Sequence, residues 1–138
     1  MTLTRREALI AGAGALIAFS LPLPVHAAAD DLIAAFTGGA AIGDAGITLT
    51  APEIAENGNT VPIEVDAPGA SAILVLALGN PTPPVATFYF GPLAATQSAS
   101  TRIRLAGTQD VIAIAKLADG SFAQAASTVK VTIGGCGG

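Results

Sequence analysis

One cysteine, one histidine, one methionine and no tryptophan stand in these 138 residues, and only 12% of the chain is charged. Each shortage removes a class of function. A lone thiol cannot form a metal site, hold an iron–sulfur cluster or attach a c-type haem. The sole histidine, His26, sits just before a predicted leader cleavage point. Beyond that point there is no imidazole for a Ser–His or Cys–His pair, or for a His-ligated metal. Positive charge is scarce as well: the same stretch keeps Arg102, Arg104, Lys116 and Lys130 against nine carboxylates, a net charge of −5. That balance is a poor match for nucleic acid or an anionic membrane surface. Independent catalysis, a cofactor and a metal are therefore not expected.

What the chain does have begins with a leader. Thr4-Arg5-Arg6-Glu7-Ala8-Leu9 reads as a twin-arginine n-region, and Ala8 to Leu21 as an apolar stretch too short for a comfortable membrane span. Val25-His26-Ala27 supplies the small-residue cleavage site, so residues 1–27 are expected to be removed and 111 of 138 to remain. The compartment this implies is the bacterial periplasm. Twin-arginine signals pass folded proteins, which for a chain without cofactor suggests a folded partner carried along.

Residues 28–46 form a lead segment. Two acids, Asp30 and Asp31, open it and Gly38-Gly39 close it, predicting a short helix with Leu32, Ile33 and Phe36 on one face. From 47 to 133 the pattern is β. Ile47–Thr50 and Val61–Asp66 alternate, and Pro62 within the second predicts an edge strand. Ala72–Leu78 is apolar throughout, as in a strand covered on both faces. Gly79 to Pro84 reads as a rigid loop, Val85–Phe90 carries the aromatics, and Thr101–Leu105 sets Arg102 and Arg104 side by side. Val111–Leu117, the hairpin signal Asp119-Gly120 and a return over Ser121–Ile133 complete about seven strands. That number and spacing fit a two-sheet antiparallel sandwich. Its alanine-rich core and a mean hydropathy of +0.64 predict apolar surface left over for a partner.

The chain finishes on Gly134-Gly135-Cys136-Gly137-Gly138. The preceding alternation places Val129, Val131 and Ile133 on one face, after which no apolar side chain remains to bury. A cysteine among four glycines, three residues past the strand, has a reach of roughly 10 Å and no neighbouring side chain to obstruct it. The expectation is a flexible arm over residues 134–138 that presents Cys136 to another protein. A free thiol of ordinary pKa ~8.5 is only a few per cent thiolate at neutral pH, so activation must come from that other protein. Two other readings share these residues. Cys136 could form a structural intermolecular disulfide in a periplasmic binding module, or take part in thiol–disulfide exchange, although a resolving cysteine is lacking.

Several blocks together resemble one family. They are Pro52–Pro62, Gly79-Asn80-Pro81 with Val85–Phe88, Ser100–Ala106, Asp119–Phe122 and above all Val129–Gly138. The chain is similar to SoxY, the carrier subunit of the Sox thiosulfate-oxidation system. The resemblance implies an immunoglobulin-like sandwich paired with a SoxZ-like subunit, and Cys136 as the covalent attachment point for sulfur intermediates. It further implies that a SoxAX cytochrome joins thiosulfate to the thiol, that a SoxB hydrolase releases sulfate, and that other enzymes process the remaining sulfur. Such a carrier is not itself an enzyme. No role for Arg102 or Arg104 follows from the resemblance, and exposed charges on an outward strand face are their simplest reading.

Overall fold

The computed structural model describes residues 25–134. The twin-arginine segment, Cys136 and its neighbours Gly135, Gly137 and Gly138 lie outside the described residues. Among the described residues one helix, α1 (Val25–Thr37), precedes nine strands. These are β1 (Ile42–Gly43), β2 (Thr48–Thr50), β3 (Ile54–Ala55), β4 (Val61–Asp66), β5 (Ala72–Ala77), β6 (Pro84–Tyr89), β7 (Ser98–Ile103), β8 (Gln109–Lys116) and β9 (Phe122–Val131). Seven of them have three residues or more, the number the turn spacing predicts; β1 and β3 are two-residue additions.

The helix starts five residues before the expected Asp30. Ala27, Ala28 and Ala29 have high helix propensity and carry it back beyond the acids. It stops where expected: the Thr37 hydroxyl donates to the Ile33 carbonyl at 2.9 Å, and Gly38 and Gly39 follow.

The strands form an immunoglobulin-like sandwich of two sheets. One has the order β1-β9-β8-β5-β6, with β3 also on β9; the other is β2-β4-β7. Between them lies the main core, with Val61, Ile63 and Val65 from β4 facing Ile73 and Val75 from β5 and Val111 and Ala113 from β8. The alternate residues of β5 and β8 point the other way. Leu74, Leu76, Ile112 and Ile114, with Phe122, form a second cluster that Leu32, Ile33 and Phe36 of α1 cover. Phe36 meets Phe122 edge to face, ring centroids 5.8 Å apart. This double coverage is why β5 reads as an unbroken apolar run: all six of its residues are buried.

Two expectations need correction. Pro62 does not mark an edge strand, because β4 is the middle strand of its sheet, paired with both β2 and β7. It is tolerated because the β2 register stops at Thr50↔Glu64, leaving Pro62 opposite Arg102 of β7 alone. The pairing is also not wholly antiparallel. β1 and β3 run parallel to β9, at Ile42↔Phe122 and Ile54↔Lys130, gripping opposite ends of the same strand edge. The chain thereby passes from the sheet of β2 to that of β9 at β3.

Candidate functional site: the root of the cysteine arm

The hairpin at Asp119-Gly120 turns β8 into β9, and β9 then runs the length of the sandwich to the opposite end. Beyond Val131 the chain is still held. Lys130 N–H donates to Glu53 O, and Thr132 N–H to Ala55 O at 3.0 Å, extending the β3 ladder. The Thr132 hydroxyl donates to Glu56 O, and Val131 N–H to the Thr108 hydroxyl on the opposite edge. Finally Gly58 N–H donates to the Ile133 carbonyl at 2.7 Å. Ile133 was expected to join Val129 and Val131 inward. Instead its side chain is 68% exposed, because the strand ends two residues earlier and the core beneath has run out.

Gly134 comes next, and its surroundings are tight. A Cβ on this residue would sit 2.3 Å from the backbone carbonyl oxygen of Ala106, a separation no side chain survives. Glycine is therefore demanded here by close approach of two backbones. One residue later the described chain has ended, and Cys136 follows after Gly135 alone.

The Ala106 loop is itself fixed by two buried amides, Asn80 (2% exposed) and Gln109 (8%). The Asn80 side-chain N–H donates to Arg104 O at 2.8 Å, and its Oδ1 accepts from Ala106 N–H at 2.9 Å and from Gln109 Nε2 at 2.8 Å. Gln109 Nε2 also donates to Gly107 O, while its Oε1 accepts from Gly79 N–H. No buried side-chain polar atom among the described residues lacks a partner. Gly79 is required by this packing, since a Cβ there would lie 2.7 Å from that of Gln109. From the loop, Leu105 N–H donates to Gly58 O, and Gly58 in turn holds Ile133. A continuous chain of hydrogen bonds thus runs from the Asn80–Gln109 pair to the root of the arm.

Of these residues, the sequence marks Asn80 as part of a rigid loop and of a family block but gives it no role, and it gives Gln109 none. The available signal is an amide two residues before the apolar run Val111–Ala115. Arg102 on β7 and Arg104 just past its end are both exposed, as the alternation predicts. With Asn80, Pro84 and Val85 they line an open groove of about 400 Å³ between β7 and the β6 edge. A larger groove, about 560 Å³, lies on the outer face of the other sheet around Pro62, Glu64 and Ser100, and no arm-root residue lines it. The leftover apolar side chains do not form one patch. Ile54 and Ile133 are at the arm end, whereas Tyr89 (80% exposed) and Leu93 (98%) are at or beyond the end of β6, where Tyr89 pairs with Ala72 near the hairpin.

Fold and site together define a β-sandwich whose last strand delivers a single-cysteine tail past a fixed backbone contact. The family model described as "Sulfur oxidation protein SoxY" matches residues 33–136, which takes in every strand of the sandwich and reaches the cysteine. Among solved structures, the sulfur carrier protein SoxY from Chlorobium limicola f thiosulfatophilum is similar at 38% identity and a TM-score of 0.66, covering 75% of this chain and 96% of that one. A superoxide reductase (neelaredoxin) variant from Ignicoccus hospitalis, 18% identical with a TM-score of 0.55, covers 62% of this chain and 78% of its own. The protein PH1083 from Pyrococcus horikoshii OT3, 13% identical with a TM-score of 0.52, covers 69% and 99%. At those identities the last two share the fold alone. No curated protein matches. The chain belongs to the SoxY family.

Proposed function

We propose that this protein is a sulfur carrier, not an enzyme, and that Cys136 is where the sulfur is bound. The observation that carries the reading is the family match, whose 33–136 span ends on the chain's single cysteine. In the reaction proposed, the thiol and thiosulfate lose two electrons and one proton as a new S–S bond forms. The cysteine becomes an S-thiosulfonate, and a SoxAX-type cytochrome partner accepts the electrons. A SoxB-type hydrolase then releases sulfate, and further enzymes process the sulfur left on the tail. Binding the intermediate covalently keeps a small anion from diffusing away between these steps and raises its effective concentration at each. The twin-arginine leader supports a periplasmic location, and the exposed apolar side chains support assembly with a SoxZ-like subunit.

One preparation tests these points together. The full chain is expressed with its own leader in a thiosulfate-oxidising host and recovered from the periplasmic fraction without reductant. Intact mass should show loss of residues 1–27, thiosulfonate or persulfide adducts on the tail peptide, and a second co-eluting subunit. Cys136→Ser should keep that subunit and lose every adduct, because a hydroxyl cannot form the S–S bond. Normal thiosulfate turnover by Cys136→Ser would overturn the carrier reading, as would a tail that carries only a disulfide-linked dimer.

A further inference from the structure

The sequence predicts an arm that swings freely from Gly134 onward. The contacts past Val131 hold its first residue instead, and we propose that Gly134 is a fixed pivot that positions Cys136, set against the Ala106 carbonyl and anchored through Ile133 to Gly58. Three observations carry this. The backbone bonds of Thr132 to Ala55 and of Gly58 to Ile133 continue past the strand, so residues 132 and 133 belong to the body of the sandwich. The space beside the Gly134 Cα is filled by a main-chain oxygen, which cannot rotate aside as a flexible side chain would. The loop supplying that oxygen is clamped by Asn80 and Gln109 and cannot yield cheaply.

The reach of the thiol is then two Cα steps from the pivot, about 7 Å, in place of the roughly 10 Å expected from the strand end. A partner pocket must therefore come close to the 57–59 and 104–107 loops to receive the cysteine. The glycines of the tail divide into two roles: Gly134 is needed for contact, and those around Cys136 for access. Adding a methyl at 134 forces the two backbones apart by about 0.7 Å, to the 3.0 Å below which real Cβ contacts are essentially never found. If the tail moves, the 2.7 Å Gly58–Ile133 bond one residue away is the contact most directly weakened.

The inference deepens the carrier reading, but its test uses no sulfur substrate, so either can fail while the other stands. Amide hydrogen exchange is measured on the purified protein, with its co-purifying subunit if one is present. In the unmodified chain Gly58 and Thr132 should be protected at least 100-fold. Gly134→Ala should lower Gly58 protection at least tenfold and leave Val75 in the core unchanged. Gly135→Ala should alter neither. A nitroxide attached to Cys136 should gain rotational freedom in Gly134→Ala but not in Gly135→Ala. Unchanged Gly58 exchange in Gly134→Ala, an equal loss in Gly135→Ala, or an unprotected Gly58 in the unmodified chain would each overturn the pivot. The last comparison needs no variant, so it holds even if Gly134→Ala does not fold.

Discussion

Replacing Asn80 with alanine removes three hydrogen bonds at once, and their partners fare differently. Ala106 N–H and Arg104 C=O lose the side chain that satisfies them, whereas Gln109 Nε2 keeps its 3.0 Å bond to Gly107 O. A buried polar group left unpaired costs about 1–3 kcal/mol. Ala106 is only half-buried and Arg104 is exposed, so water can repair part of the loss. Two orphaned groups at the lower end of that range, together with a small cavity, give a loss of about 3 kcal/mol. For a domain of this size that lowers Tm by roughly 10 °C. Urea unfolding followed by circular dichroism checks the figure, with Arg104→Ala as the control. That substitution leaves the Arg104 carbonyl in place and should cost less than about 0.5 kcal/mol, as exposed positions usually do. If Asn80→Ala is equally silent, the amide pair does not hold the 104–107 loop, and the anchoring of the arm root argued from it is wrong.

Phe36→Ala should expose the cluster beneath α1 and cost about 2 kcal/mol in the same unfolding assay, less than a fully buried Phe because the ring is half-exposed; a change under about 0.5 kcal/mol would mean the helix is not a functional part of the core. The Asp119 carboxyl is held below its ordinary pKa, first by the Ser121 hydroxyl and then by the Ser121 N–H, both of which donate to it. A depressed folded-state pKa gives stability that is present above the unfolded value and lost as pH falls through the folded one, so this hairpin contact should weaken only in acid below the usual carboxylate range. Carboxyl-carbon NMR titration reads it directly, and Ser121→Ala should return Asp119 toward the ordinary value.

Local signals carried much of the architecture. The unbroken apolar run at 72–78, the alternation at 61–66 and the Asp119-Gly120 turn each encode their element in adjacent residues; the first ends one residue early at Ala77, and the strand read at 101–105 lies further back, at Ser98–Ile103. What was not legible depends on partners distant in sequence. Nothing near Pro62 shows that β2 will stop short of it. Two-residue strands such as Ile54–Ala55 have no periodicity to detect, and their parallel pairing depends on a strand some 76 residues later. Asn80 and Gln109 resemble ordinary loop polar residues until the fold buries both and sets them 2.8 Å apart. That Gly134 has a contact of its own was not legible, because Ala106 lies on another loop.

The grip of three strands on β9 has a mechanical consequence. A partner drawing the tail into a pocket, as proposed, would pull along the axis of β9, away from the hairpin. The bonds to β8 over Gln109↔Val129 through Lys116↔Phe122, and those to β1 and β3, lie across that axis. They are therefore loaded together, in shear, and cannot open one after another as a zipper would. Tension on the cysteine is shared by the whole length of the strand. The sandwich can thus be tugged repeatedly from its end without being unravelled from it.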